Sequence, residues 1–332
     1  MGDVILTLPV LQVLKKTQPE LEIDFMCIPK TSELLKNNPY VSEVIIYDKK
    51  NSGIRELISL IRFLKRKKYF AIISPHRSFR SALISTLASA KKTISFKKSS
   101  LSFLYDVKVD YLNEIHEIQR NLKLLFPLGI NEEKIIKPEL FPALQEKEMI
   151  DKVFLNNKIN STEKIITISP GSVWFTKRFP KEKFVRLCDL LNLHAVKIFL
   201  IGGSEDKELC QYIFKTSSNK NIINTAGGLS ILESAELIKR ASILITNDSA
   251  PLHMANAMDT HAVAIFGATV PAFGFYPIGT NDTVIETNGL KCRPCSIHGG
   301  DKCPIGTFVC MLNISEEKIA DATGKILSQT LA

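Results

Sequence analysis

The chain has 332 residues, of which 45% are apolar and 23% charged. That is enough for two hydrophobic cores and too apolar for a disordered or fibrous protein. Its formal charge of +9 is uneven: residues 1–150 hold 24 basic and 17 acidic side chains, and residues 51–100 hold twelve basic ones against Glu56 alone. Such a surface attracts phosphates.

At the N-terminus, Gly2-Asp3 forms a turn, and residues 4–14 follow with apolar side chains at helical spacing. Thr7, Pro9 and Gln12 interrupt this run, which is too short and too mixed to span a bilayer. No basic segment precedes it, so it does not read as a signal peptide, and a cytoplasmic location is expected. Strands are predicted at 22–28, 43–47, 70–74 and 92–95, with helices at 31–36, 54–67, 79–89 and 113–125. Residues 131–162 carry Pro138, Pro142 and an Asn-rich patch, and read as a boundary and linker. The second half repeats the scheme, with strands at 164–169, 196–201, 243–246 and 262–266. Its helices are predicted at 181–191, 205–214, 231–239 and 251–258. Alternating strands and helices imply an α/β fold of two doubly wound parallel-sheet domains, 1–150 and 163–332. Ligand sites are then expected at the carboxyl ends of the strands, in a cleft between the sheets.

Four turns after second-half strands carry polar or glycine-rich sequence. Asn247-Asp248-Ser249-Ala250-Pro251-Leu252-His253 is a strand–turn–helix junction, where free N–H groups and the helix dipole favour an anion. Pro170-Gly171-Ser172 runs on to Thr176-Lys177-Arg178-Phe179-Pro180, offering hydroxyls and a lysine suited to a diphosphate. Gly202-Gly203-Ser204-Glu205 allows close ligand approach, and Glu205 can accept from ribose hydroxyls; Ser204 equally suits a plain N-cap. Gly267-Ala268-Thr269 follows the last predicted strand. Because they follow parallel strands, Lys177, Glu205, Asp248 and His253 are expected to converge. No G-x-G-x-x-G and no Walker-type loop occurs, which argues against a nicotinamide dehydrogenase or a P-loop NTPase. No helix-turn-helix, RRM or zinc-finger pattern is present and aromatics do not interleave the basic run, so lipid or glycan phosphate is expected in place of nucleic acid.

These motifs, with Gly2-Asp3 before Val4-Ile5-Leu6-Thr7-Leu8-Pro9 and Phe266 before Gly267, together resemble the lipopolysaccharide heptosyltransferases of glycosyltransferase family 9. The resemblance covers nearly the whole chain. It implies a GT-B fold of two Rossmann-like domains facing across a cleft. It also implies an ADP-heptose donor in the second domain, with Ser172, Thr176, Lys177, Glu205, Asp248, Ser249, Ala250 and His253 as donor-binding candidates. The first domain would take an anionic lipid A–core acceptor, with His76, Arg77 and Arg80 as candidates. Transfer would proceed with inversion and no required cofactor, at the inner face of the cytoplasmic membrane. Asp3 matches the position of the general base, and inverting transfer needs such a carboxylate; Asp3 also suits the N-cap of the first helix. The family usually has a strand before the Gly-Asp turn. Its absence here is expected to leave a gap beside the 22–28 strand and to make an upstream-extended form more soluble. Ala250 stands where glycine is common, which tests whether that turn needs a positive φ. A GT-B-type nucleotide-sugar epimerase would share both halves without needing Asp3 or the basic surface; a non-catalytic sugar-nucleotide or anionic-lipid binding protein is the third reading.

Of seven cysteines, Cys27, Cys188 and Cys210 sit in apolar patterns. Cys292, Cys295, Cys303 and Cys310 cluster in sequence, beginning with a C-x-x-C pair. A structural zinc site, reduced unligated thiols and disulfides are the three readings.

Overall fold

The computed structural model describes residues 1–329. They divide into two compact units, one of residues up to Pro138 and one from Glu139 onward.

The first unit opens on the helix Gly2–Thr17. Ile5, Leu6, Leu8, Pro9, Val10, Leu11, Val13 and Leu14 are all buried, so this helix is apolar nearly all round and belongs to the core. Pro9 cannot donate to the Ile5 carbonyl, and one residue on, the Asn121 amide donates to the Leu6 carbonyl at 3.1 Å. β1 (Asp24–Cys27) pairs in parallel with β2 (Glu43–Ile46). β3 (Ala71–Ser74), β4 (Lys92–Phe96) and β5 (Val107–Val109) form a second parallel sheet in that order. The two ladders are separate: among the described residues β1 pairs only with β2, and β3 only with β4. The Tyr69 hydroxyl, donating to Asp24 Oδ2 at 2.5 Å, links the start of β1 to the approach to β3. The helix Ile54–Lys67 buries Leu64 and lays Leu57, Leu60 and Phe63 against Ile45, Tyr47 and Ile84.

The second unit contains one six-stranded parallel sheet. In chain order its strands are β6 (Lys164–Ser169), β7 (Val196–Leu200), β8 (Ile222–Asn224), β9 (Ile243–Asn247), β10 (His261–Phe266) and β11 (Thr283–Glu286). Their spatial order is β11-β10-β9-β6-β7-β8, so the order reverses between β6 and β9. In such a sheet ligands bind at the carboxyl ends beside the reversal. β6, β9 and β10 are buried on both faces, which accounts for their continuous apolar runs.

The expected linker contains the helix Leu144–Asn156, which belongs to the second unit. Its charged surface hides a capping box, with Glu146 accepting from Ala143 N at 2.8 Å, and a tether through Arg240, which pairs with Asp151 and donates to the Lys147 carbonyl. The predicted 31–36 helix is two short turns, Pro29–Ser32 and Glu33–Leu35, and the 113–125 helix is confined to Glu117–Lys123.

Candidate active site

In the second unit the four expected turns meet at one edge of the sheet. Asn247, the last residue of β9, is fully buried and bridges two of them: its Oδ1 accepts from Phe179 N at 3.0 Å and its Nδ2 donates to the Pro170 carbonyl at 2.7 Å. The Lys177 ammonium lies 2.6 Å from Asp248 Oδ2, and the Thr269 hydroxyl donates to the same oxygen at 2.6 Å. Lys177 and Asp248 side chains retain 14% and 6% of their exposure. The pair is therefore nearly out of water, with the lysine as its wetter end, and a screened surface pair would not fix a charge so firmly. Gly171 and Gly202 both lie against the Asp206 side chain: a Cβ at Gly171 would meet its Oδ1 at 2.1 Å, and one at Gly202 would meet its Cβ at 2.7 Å. Asp206 Oδ2 also accepts from Gly203 N at 3.0 Å.

The candidate donor residues thus play different parts. Lys177 and Asp248 come together as expected. Thr176 is 2% exposed, and its hydroxyl accepts from Gly300 N at 2.8 Å while its own N–H donates to the Gly300 carbonyl at 3.0 Å. That hydroxyl holds the Lys177 loop to a neighbouring loop. Ser172 is half-buried, and its carbonyl accepts from Arg178 Nε at 2.7 Å. Ser249 is the N-cap of the helix Ala250–Met258, in extended backbone, with its hydroxyl 3.3 Å from that of Thr246. Ala250 is not among the residues with positive φ, so this turn requires no glycine there. His253 is buried on the first turns of the same helix. Glu205 is exposed, 3.3 Å from the Ser204 hydroxyl, whereas its neighbour Asp206 reaches the junction of the turns. Sequence reasoning left Asp206, Asn247 and Thr269 out of the site. Asp206 was legible as a capping residue three positions after Gly203; Asn247 and Thr269 differ from ordinary turn residues only once the strands are aligned.

In the first unit, Asp3 is exposed on the first turn of its helix, and its carbonyl accepts from the Thr7 hydroxyl at 2.7 Å. His76 and Arg77 lie on the connection from β3 to the helix Phe79–Leu87, and Arg80 on the first turn of that helix. His76 Nδ1 is 2.8 Å from the Ser81 hydroxyl. Desolvation, and then the positive charges of Lys49 and Arg77, hold the His76 imidazole below its ordinary pKa, with Asp3 acting in the opposite sense. Asp3 and the acceptor candidates therefore share one electrostatic neighbourhood. The Arg77 guanidinium sits 4.2 Å from the centroid of the Tyr111 ring. Tyr111 donates its hydroxyl to Glu117 at 2.8 Å, and burial, then the Glu117 carboxylate, push its pKa up to about 12. Arg80 donates to the Lys49 carbonyl.

Cys292, Cys295, Cys303 and Cys310 are free thiols. Among the described residues no group of three or more His, Cys, Asp or Glu side chains is arranged to hold a metal ion. Cys303 Sγ accepts from Phe308 N at 3.4 Å, and such backbone contacts draw its thiol below the ordinary value. Burial, together with the neighbouring cysteines, raises Cys310. The segment braces the site from behind: Cys295 N donates to the Ala268 carbonyl at 3.0 Å, and Arg293 Nε to the Thr269 carbonyl at 3.1 Å.

Residues 57–300 match the family model described as glycosyltransferase family 9 (heptosyltransferase). The chain belongs to glycosyltransferase family 9. It is 26% identical over 287 residues to lipopolysaccharide heptosyltransferase 3 of Escherichia coli (strain K12), covering 82% of this chain and 81% of that one. The crystal structure of the family 9 glycosyl transferase from Veillonella parvula superposes with a TM-score of 0.88 at 23% identity, covering 99% of this chain and 95% of that one. ADP-heptose lps heptosyltransferase II of E. coli gives a TM-score of 0.82 at 22% identity, covering 100% and 97%. The fold is therefore GT-B, and the family is one of transferases. The epimerase and the non-catalytic binding protein give way to a transferase of the heptosyltransferase family.

Proposed function

We propose that the chain transfers heptose from ADP-heptose to an anionic lipid A–core acceptor, with inversion at the anomeric carbon and no metal in the reaction. The observation that carries the donor half is the Lys177–Asp248–Thr269 group beside the N-terminus of the helix Ala250–Met258. A leaving diphosphate needs positive charge held in place before the reaction begins. Asp248 fixes the ammonium, Thr269 fixes Asp248, and the helix adds its dipole. The E. coli neighbour named an ADP-heptose lps heptosyltransferase supports the choice of nucleotide and sugar.

On the acceptor side, Asp3 takes the proton from the attacking hydroxyl, and His76, Arg77 and Arg80 bind the acceptor's anionic groups. Charge supports this assignment: neither Arg77 nor Arg80 is ion-paired among the described residues. No helix among the described residues is long and apolar enough to cross a membrane. A cytoplasmic enzyme resting on the inner membrane face fits that reading.

The test is Asp3→Asn. ADP release from ADP-heptose in the presence of acceptor should fall about 10²–10⁴-fold, with ADP affinity unchanged by calorimetry. Undiminished ADP release would remove Asp3 from the mechanism.

We extend the proposal to a structural zinc on Cys292, Cys295, Cys303 and Cys310. Four thiols suit Zn²⁺, and Cys303 Sγ takes a backbone N–H as a ligated thiolate would. The thiols would have to turn toward one another, and no reaction step passes through the ion. About one zinc per purified chain supports this; its absence from protein purified under reducing conditions without chelator overturns it.

A further inference from the structure

Single exposed apolar side chains are ordinary on a protein surface. In the first unit four of them recur just after the carboxyl ends of three strands. Ile54, the first residue of the helix after β2, is 69% exposed; Phe79, the first residue of the helix after β3, is 57% exposed; Phe103 and Leu104, in the connection after β4, are 72% and 42% exposed. Each follows the carboxyl end of its strand. Two contacts stitch the three connections into one rim. Arg80, on the first turn of the helix after β3, donates to the Lys49 carbonyl of the first connection, and Ser100 N donates to the Arg77 carbonyl at 3.0 Å, joining the third to the second.

Basic side chains surround these apolar tips. Lys49, Lys50 and Arg55 lie in and just after the first connection, and Lys97 and Lys98 in the third. The nearby carboxylates are fewer, and each is held in place. Asp48 accepts from Asn51 and from Lys50 N, Glu56 accepts from Gly53 N, and Asp110 pairs with Lys97. The rim therefore presents separated apolar tips among cations that outnumber the nearby carboxylates.

We propose that this rim seats the protein on an anionic lipid surface, with Ile54, Phe79, Phe103 and Leu104 entering the headgroup region. A protein partner fits less well, because the core of a protein interface is depleted in lysine and the apolar residues there are contiguous. Isolated aliphatic and aromatic tips among Lys and Arg are the pattern of an interfacial membrane contact, where burial and attraction to anionic lipid act together. The inference rests on the glycolipid-acceptor reading only for its purpose: the candidate acceptor residues His76 and Arg77, on the connection after β3, and Arg80, on the helix turn that follows, would stand at headgroup depth.

The experiment is co-sedimentation of the full chain with phosphatidylcholine vesicles, with and without about one-third phosphatidylglycerol. The chain should bind the anionic vesicles, ignore the neutral ones, and release in roughly 0.5 M salt. The double variant Ile54→Ser/Phe103→Ser should bind about tenfold or more weakly, with ADP affinity unchanged. Because these residues are exposed, it should fold; Lys50→Glu/Lys98→Glu gives an independent loss of roughly tenfold or more. Equal binding to neutral vesicles, or undiminished binding by both variants, overturns the proposal. So does sedimentation velocity without lipid, if it shows a dimer that the apolar variant dissolves, for the rim would then meet a second copy. Vesicle binding without turnover of ADP-heptose sinks the functional reading alone; turnover of a deacylated acceptor without vesicle binding sinks this one alone.

Discussion

The candidate residues of the two units are held in opposite ways. In the second unit Lys177, Asp248 and Thr269 form a nearly dry chain of contacts, and Asn247 ties together the backbone that carries them. In the first unit Asp3 is exposed, and Arg77 rests on an aromatic ring with no ion pair among the described residues. A small, invariant diphosphate rewards a site whose charges are fixed in advance. A large anionic glycolipid is better met by open cations that attract at a distance and adapt on contact. The uneven charge along the sequence records the same division.

The sharpest way to break this contrast is to remove the fixed charge. Lys177→Ala should lower kcat about 10²–10³-fold. If the lysine merely stabilises Asp248, turnover should survive wherever the variant stays folded, as followed by circular dichroism. Asn247→Ala should be mainly a stability lesion. It removes the buried hydrogen bonds of the Asn247 amide and leaves Phe179 N and the Pro170 carbonyl without that partner, at a cost of about 2–4 kcal/mol. Chemical denaturation measures the loss, and a change under about 0.5 kcal/mol would show that the turns are held by other contacts.

On the open side, Arg77→Glu/Arg80→Glu should raise the KM for an anionic acceptor by about tenfold or more, and the rise should shrink at high salt. Donor affinity should stay put; an equal fall in ADP binding would end the division of labour between the units. The smallest effect concerns pH. The folded-state pKa of His76 lies below its ordinary value of 6.5, so folding disfavours its protonated form. The ring is neutral in both states above that value, and stability is lost as pH falls from about 6.5 toward the lowered folded-state pKa. His76→Gln should flatten that part of the stability–pH curve, as read by thermal melts.

Most of this arrangement was legible because it depends on period and punctuation. β6, β7, β9 and β10 are apolar runs ended by Pro-Gly, Gly-Gly, Asn-Asp and Gly-Ala-Thr, and each emerged within about two residues of its predicted place. Three-residue strands such as β5 and β8 are too short for a period to show. β11 is defined by its pairing with β10, which local sequence does not reveal. The helix Leu144–Asn156 was hidden by its charge, since its apolar contacts are few and Phe154 meets Phe199 across 45 residues of sequence. At the site, residue type located Lys177 and Asp248 but could not assign the Thr176 hydroxyl, which the fold commits to Gly300. Glu205 and Asp206 are adjacent carboxylates, and only backbone direction decides which of them turns inward.

The most direct test of the account is product analysis after incubating the purified chain with ADP-heptose and a deacylated lipid A–core acceptor. The account predicts acceptor-dependent release of ADP, a heptosylated product whose anomeric configuration by NMR is opposite to that of the donor, and no requirement for added divalent metal. An altered donor sugar in the absence of acceptor, a retained configuration, or release of a different nucleotide from its sugar in preference to ADP would contradict it.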